Sequence, residues 1–340
     1  MRLKVLFIGG TGIISSACSA LAIEKGMDLY LLNRGKSSTR PVPEGATVLT
    51  GDIRDPASAR AALGDHTFDA VVNWIAFTPD HIETDLDLFG GGRCGQYVFI
   101  SSASAYQTPP ASLPVTESTV LANPHWGYSR NKIACEERLV RAYREDGFPA
   151  TIVRPSHTYD RTLLPMQGGW TVIDRMRRGL PVIVHGDGTS LWTLTHHRDF
   201  ARGLVGLLGN HRAVGEAFHI TSDEVLTWDA IHRIFAAAAG APEPEIVHVP
   251  SDVLAAYDPA WGAGLLGDKT HSMIFDNSKI KRFVPEFAAS HLPLSWGARE
   301  VIAWYDADPA RQKVDDAFNA LTDRIIAAQR RALPEGSTGA

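Results

Sequence analysis

Val5-Leu6-Phe7-Ile8-Gly9-Gly10-Thr11-Gly12-Ile13-Ile14-Ser15 is the stretch whose reading decides the fold. Residues 5–8 are apolar, bulky or β-branched, and read as a short buried strand. The glycines stop it, and residues 13–25 then carry Ala, Leu and Ile on one helical face, with Gly26 as the stop. Glycines allow a tight turn and let backbone approach a phosphate closely. The helix start behind them offers unpaired N–H groups and the positive end of the helix dipole. Gly9, Gly10, Thr11, Gly12, Ile13 and Ile14 are therefore candidate ligands of a dinucleotide pyrophosphate. Ser15 stands where a third glycine is usual, and is small enough for close packing. The plain alternative is a βα turn that holds nothing.

Working outward, residues 29–32, 48–49, 70–73, 97–101 and 150–153 read as strands, with helices over 56–63 and 128–145. Each run is apolar throughout instead of alternating, which marks a parallel sheet covered on both faces. The expected fold is α/β: a doubly wound parallel Rossmann sheet with a smaller, interleaved C-terminal substrate lobe. Residues 217–220 return a further strand to that sheet. The dinucleotide-binding domain is expected over 1–155 plus about 194–222, and the substrate lobe over about 156–193 and 223–333. Residues 310–333 read as a terminal helix and 334–340 as a frayed tail.

Of 340 residues, 33 are basic and 38 acidic, a net charge of −5 that argues against a broad face for nucleic-acid phosphates. Cys18, Cys94 and Cys135 are odd in number and far apart, unlike a disulfide framework. No Cys-x-x-Cys or His-x-x-x-His spacing occurs, so no metal is expected. No apolar run approaches the ~18 residues of a membrane span, and the apolar start is too short for a signal peptide. A cytoplasmic enzyme acting on a small molecule, without membrane or nucleic-acid partner, is the expectation.

The second strand ends in Asn33-Arg34-Gly35-Lys36. NAD sites place a carboxylate there to hold the ribose 2′-OH. Asn33 removes its repulsion toward a 2′-phosphate, and Arg34 and Lys36 supply cations, which favours NADP, with NAD as the alternative. Asp52 and Ile53, after the third strand, would flank adenine.

Tyr128-Ser-Arg-Asn-Lys132 puts a phenol and an ammonium on one helical face. Eight tyrosines and eight lysines make this spacing expected about 0.2 times by chance, so its placement matters more. The strand that precedes it ends in Ser101-Ser102, at the sheet edge where ligands bind. A free tyrosine, with pKa near 10, needs roughly 4 kcal/mol to become phenolate near pH 7, and one ammonium at ~4 Å supplies about that. Tyr128 would then take the proton of an alcohol as hydride leaves, Lys132 would tune it, and Ser102 would orient the oxygen.

Together GGTGIIS, Gly51-Asp52-Ile53-Arg54-Asp55, FISSASAY (99–106), YSRNK and IVRPSHTY (152–159) resemble the extended short-chain dehydrogenase/reductases, and more narrowly the NAD-dependent epimerase/dehydratase family. The resemblance runs over about 3–230 and is only in outline beyond. It implies a nicotinamide cofactor, a substrate cleft between two lobes, Ser102, Tyr128 and Lys132 as the catalytic trio, and a homodimer built on helices such as 128–145, where Ile133, Leu139 and Val140 suit core or interface. The chain also departs from the family pattern. Ala103 and Ser104 replace the Asp-Glu pair with which dehydratases eliminate water, which argues against 4,6-dehydration. Trp192 stands where an arginine usually follows the Gly186-Asp187-Gly188 turn to clamp a diphosphate; Arg175, Arg177 and Lys269 are the basic alternatives. Thr78, Asp80, Ser156 and His157 follow strands on the ligand edge. Ser156 is assigned to the cofactor, and Thr78, Asp80, His157, Trp192 and Lys269 to substrate. Trp170, Trp192 and Trp261 are candidate stacking walls or core. The expected activity is epimerisation or keto-reduction on a sugar or sugar-nucleotide-like substrate. A non-catalytic dinucleotide-binding or RNA-binding protein on the same scaffold is the rival.

Overall fold

Alternate residues of a strand face opposite sides of a sheet, and here both sides are apolar. In β1 (Lys4–Ile8), Val5 and Phe7 enter one core while Leu6 and Ile8 enter the other. The structure, a computed structural model, describes residues 2–35, 40–288 and 291–332. β1 is followed by β2 (Asp28–Asn33), β3 (Thr47–Thr50), β4 (Ala70–Asn73), β5 (Tyr97–Ile100), β6 (Ala150–Pro155) and β7 (Ala217–Ile220). All pair in parallel, in the order β7-β6-β5-β4-β1-β2-β3. The order reverses between β1 and β4, so crossovers leave on opposite faces and a crevice opens at the strands' C-terminal ends. The doubly wound sheet is thus as the apolar runs predicted.

One face is covered by α1 (Ile13–Glu24) and α5 (His197–Leu207), which bury Cys18, Ala22, Phe200, Leu204 and Leu207. The other carries α2 (Pro56–Leu63), α3 (Pro79–Phe89) and α4 (Gly127–Asp146), burying Leu63, Ile82, Phe89, Cys135 and Leu139. Helix α3 is absent from the sequence reading. Its Pro79 occupies the first turn, where a missing N–H costs nothing, but four acidic residues among eleven obscure its apolar stripe. His196 caps α5, its Nδ1 accepting from Arg198 N at 3.3 Å.

A buried ion pair joins α4 to β6. Arg154 donates to Glu136 through Nε to Oε1 at 3.0 Å and Nη2 to Oε2 at 2.5 Å, and Ser101 Oγ donates to Glu136 Oε1 at 2.5 Å. Arg154 Nη1 also donates to the Tyr106 hydroxyl at 3.1 Å. His219 on β7 faces the Asp276 carbonyl with Nε2 at 2.7 Å, so that nitrogen carries the proton and Nδ1 accepts from Tyr106 at 3.1 Å. One polar network therefore fixes the ends of β5, β6 and β7.

The described chain forms two units. The first comprises Met1–Thr158, Thr195–Asp223 and Phe275–His291; the second comprises Tyr159–Leu194, Glu224–Ile274 and Leu292–Ala340. Phe275–His291 packs with the sheet, Ile280, Val284 and Phe287 joining its core, where the sequence reading kept this segment in the substrate lobe. The second unit has a parallel strand pair, Val182–His185 with Ile246–Val249, and an antiparallel one, Leu191–Trp192 with Leu226–Thr227. Its terminal helix, Asp316–Ala332, starts later than the expected 310 because Pro309–Arg311 forms a separate 3-10 turn. The tail at 334–340 lies outside the described residues. Cys18, Cys94 and Cys135 are buried free thiols. No described helix is long and apolar enough to cross a membrane.

Candidate functional site

Three strand ends meet at the crevice: Gly9 after β1, Trp74 after β4 and Ser101-Ser102 after β5. Gly9 and Gly10 adopt φ of +103° and +98°. A Cβ on Gly10 would lie 2.7 Å from Leu31 Cδ2 and 3.2 Å from Ser19 Oγ. Gly12 is conformationally ordinary, and its N–H donates to Ser15 Oγ at 2.7 Å, so Ser15 caps α1 as well as packing closely. This backbone cradle, without side chains and backed by a helix start, fits a pyrophosphate. Gly10→Ala is expected to cost about 1–3 kcal/mol of stability through left-handed strain. It should also weaken dinucleotide binding, read by thermal denaturation and calorimetric titration. Unchanged binding would exclude the turn as the phosphate cradle.

At the end of β2, Asn33 Oδ1 accepts from Gly35 N at 2.9 Å. Arg34 is exposed, with Nη1 3.8 Å from Asp52 Oδ2. A carboxylate following β3 thus stands beside the end of β2, which lacks one of its own. Ile53 is buried in the apolar core under α2 and α3. Lys36 lies outside the described residues. Arg54, which the sequence reading passed over, spans from β3 to β4 and donates to the Ile75 carbonyl. Burial lowers its pKa, against the opposing charges of Asp85 and Asp52.

Lys132 lies beside the Tyr128 ring and bonds to the last residue of β5, Ile100, two residues before Ser102. Tyr128 lies in the first turn of α4, half-buried, with the Trp126 ring 5.0 Å away. Lys132 is 2% exposed; Nζ donates to the carbonyls of Ala76 at 2.7 Å and Ile100 at 2.8 Å. It sits 4.7 Å from the centre of the Phe77 ring and 5.7 Å from that of Tyr128. Burial lowers its pKa to about 8. Ser102 is joined to a hydroxyl chain that the sequence reading did not foresee. Ser104 Oγ lies 2.9 Å from Ser102 Oγ and accepts from Ser129 Oγ at 2.7 Å, while Asn123 Nδ2 donates to the Ser104 carbonyl at 2.9 Å. The signal was available: both serines lie inside the quoted motifs, but their facing sides depend on how α4 meets β5.

Below the crevice, Asn73 Nδ2 donates to Asp85 Oδ2 at 2.5 Å and Asn73 Oδ1 accepts from Ile75 N at 2.8 Å. Tyr97 also donates to Asp85. Burial raises the Asp85 pKa to about 7. These groups hold the turn that presents Ala76 to Lys132.

The remaining candidates are placed separately. Thr78 caps α3, with Thr78 N donating to His81 Nδ1 at 3.3 Å, and Asp80 is exposed in its first turn. Ser156 Oγ is 3.1 Å from Thr195 Oγ1, and His157 is half-buried just after β6. In the second unit, Trp192 is 3% exposed and packs on Trp228 at 5.6 Å, with Lys269 Nζ 5.8 Å from its centre. Trp170 stacks on Tyr305, and Trp261 meets Phe318. All three tryptophans are therefore core residues of that unit, not open stacking walls. Lys269 ends a π-helical turn, Leu265–Lys269, and pairs with Asp268 at 3.1 Å. Arg175 is buried and bonds to Asn319 and Asp323, and half-buried Arg177 pairs with Asp306 near the surface. Both are engaged in packing.

The family model "NAD dependent epimerase/dehydratase family" matches residues 5–221. The chain is 29% identical to the chloroplast stem-loop binding protein of 41 kDa b from Arabidopsis thaliana, over 72% of this chain and 65% of that protein. It is 26% identical to 2'-dehydrokanamycin reductase of Streptomyces kanamyceticus, over 84% of this chain and 80% of that one. The fold is similar to that of UDP-glucose 4-epimerase from Bifidobacterium longum, solved with NAD+ and UDP, at a TM-score of 0.70 and 18% identity over 90% of this chain and 99% of the other. With a glycine turn that fits a pyrophosphate and a matched segment covering most of the sheet domain, the chain belongs to the NAD dependent epimerase/dehydratase family, a family of NAD-dependent enzymes.

Proposed function

We propose that this protein is a keto-reductase or epimerase acting on a secondary alcohol or ketone of a sugar or sugar-nucleotide-like substrate. The observation that supports the reading is Lys132 seated beside the Tyr128 ring and on the Ile100 carbonyl, at the strand end that continues into Ser102. Gly9, Gly10, Thr11, Gly12, Ile13 and Ile14 would hold the pyrophosphate, and Asn33, Arg34, Asp52 and Ser156 the remainder. When bound, nicotinamide supplies the hydride or receives it. Ser102 and Tyr128 direct hydroxyls at the substrate oxygen, and Tyr128 gives it a proton in reduction or takes one in oxidation. A unit charge at the 5.7 Å that separates Lys132 Nζ from the Tyr128 ring centre favours phenolate by about 3 kcal/mol at an effective dielectric of 20. The positive end of α4 adds about 0.3–1 kcal/mol. Their sum approaches the roughly 4 kcal/mol that bringing a phenol to pKa ~7 requires.

The absence of carboxylates at Ala103 and Ser104 supports reduction or epimerisation over 4,6-dehydration. A free exchange of cofactor marks a reductase, and tight retention an epimerase. The test is incubation of keto sugars, and separately of sugars bearing the secondary alcohol, with C4-deuterated NADPH or NADH. Label in the product supports the reductase, and inversion without label the epimerase. Neither outcome with any sugar or nucleotide sugar would overturn the reading.

NADP is the proposed cofactor, with NAD as the alternative. Arg34 supports it by its exposure, and Asp52 opposes it by offering the arginine a competing partner. Arg34→Ala is expected to weaken NADP binding about 10-fold or more, the scale of a charge-assisted bond, with NAD changed less than about 2-fold. Fluorescence titration of both cofactors reads this, and equal weakening would remove Arg34 from 2′-phosphate recognition. A cytoplasmic homodimer belongs to the same reading. On α4, Leu139 is fully buried and Val140 packs against the same core, leaving half-buried Ile133 for an interface. The stem-loop binding relative supports a second reading, RNA binding, against which the net charge of −5 and the intact trio both count.

A further inference from the structure

We infer that Ser104 and Ser129 are positioning residues that make Ser102 a one-way hydrogen-bond donor, so that the site selects a substrate oxygen able to accept. The inference rests on the proposed function and adds to it a polarity that the trio alone does not contain.

A hydroxyl has one hydrogen and two lone pairs, so a chain of hydroxyls has a direction. Ser129 Oγ, on a fully buried residue, donates to Ser104 Oγ at 2.7 Å. Ser104 is itself 5% exposed, and its Oγ lies 2.9 Å from Ser102 Oγ, a contact in which either hydroxyl can donate; in the inferred polarity Ser104, having accepted from Ser129, gives its hydrogen to Ser102. Ser102 Oγ accepts a second bond from the Ser104 N–H at 3.2 Å. Both lone pairs of Ser102 are thus engaged from within the protein, and its single hydrogen is left for the crevice. Asn123 keeps the turn in place by donating to the Ser104 carbonyl at 2.9 Å while its Oδ1 accepts from Trp126 N at 3.0 Å, next to the start of α4. The positions of these hydroxyls are thus fixed by buried groups, and the inferred polarity follows from the bond that Ser129 donates.

An oxygen presented to Ser102 meets a donor, which suits the carbonyl of a ketone or the oxygen of an alcohol whose own proton goes to Tyr128. A group that can only donate finds no acceptor in Ser102. Because the bonds from Ser129 and Ser104 run in series, removing either releases the constraint on Ser102 without removing its hydroxyl.

Ser104→Ala is expected to lower kcat for ketone reduction about three- to ten-fold, the scale of one neutral hydrogen bond, with KM and cofactor Kd changed less than about two-fold. Ser104→Thr, which keeps a hydroxyl, should restore most of the rate. Adding Ser129→Ala to Ser104→Ala should cause no further loss, and Ser104→Ala should have no effect once Ser102→Ala is present. An undiminished kcat in Ser104→Ala, or an equal loss with Ser102 absent, would overturn the inference. Neutron diffraction of the deuterated protein gives a second readout that needs no turnover. Deuterium on Ser104 Oγ aimed at Ser102 supports the relay, and deuterium on Ser102 aimed at Ser104 overturns it. A wild-type protein with no hydride transfer but the expected deuterium positions would sink the proposed function and leave the polarity standing.

Discussion

Tyr128→Phe is expected to lower the rate of hydride transfer by about 10²–10⁴-fold, the range that a positioned proton donor contributes. The ring is kept, so packing against Trp126 and the place of Lys132 should persist, and cofactor affinity should change little. Measured by cofactor absorbance under single-turnover conditions, the loss should fall on the chemical step. Full activity in the variant would remove Tyr128 from the chemistry, and full RNA binding beside absent wild-type turnover would favour the rival reading. The pH profile carries a further signature. With burial lowering Lys132 to about 8, the cation that favours phenolate is present at neutral pH and is lost as pH rises through that value. Activity that depends on the charge should decline above about pH 8.

Glu136→Gln is the second variant with a large expected effect. Arg154 and Glu136 are both nearly fully buried, their side chains 6% and 3% exposed. An ion pair taken out of water contributes little net stability, but removing one partner leaves the other charge buried and uncompensated, at about 3–5 kcal/mol. Equilibrium unfolding in urea should show that loss, and a change below about 1 kcal/mol would mean that water or Glu117 compensates Arg154. Glu136 also follows Lys132 by one helical turn, and its charge favours the protonated lysine. Neutralising it should therefore move the alkaline limb of the activity profile to lower pH. Replacing both partners by apolar residues of similar volume separates the roles, since stability should recover while the shift of the alkaline limb remains.

The legible parts of the site were those in which local sequence and backbone geometry coincide. Gly9 and Gly10 announce a turn because only glycine adopts their φ without strain, and Tyr128 and Lys132 share a helical face by spacing alone. Ser104 and Ser129 were in plain view but carried no local signal, because a hydroxyl chain exists only when α4 meets β5 at one rotation. Helix α3 was hidden by its acidic residues, among them Asp85, which is buried because Asn73 and Tyr97 supply donors from other strands. Trp192 looked like a binding wall from its position in the Gly-Asp-Gly segment. Trp228, from a helix 36 residues later, covers it instead.

The parallel sheet, the glycine turn and the shared face of Tyr128 and Lys132 were determined by sequence, since apolar runs, glycines and a phenol–ammonium spacing act through a few neighbouring residues. Tertiary structure alone decided which polar groups face one another. It set the partner of Arg34, the seating of Lys132 on two carbonyls, and the run of hydroxyls from Ser129 through Ser104 to Ser102. Those depend on angles and distances between elements far apart in the chain, which packing sets to fractions of an ångström and no local pattern encodes.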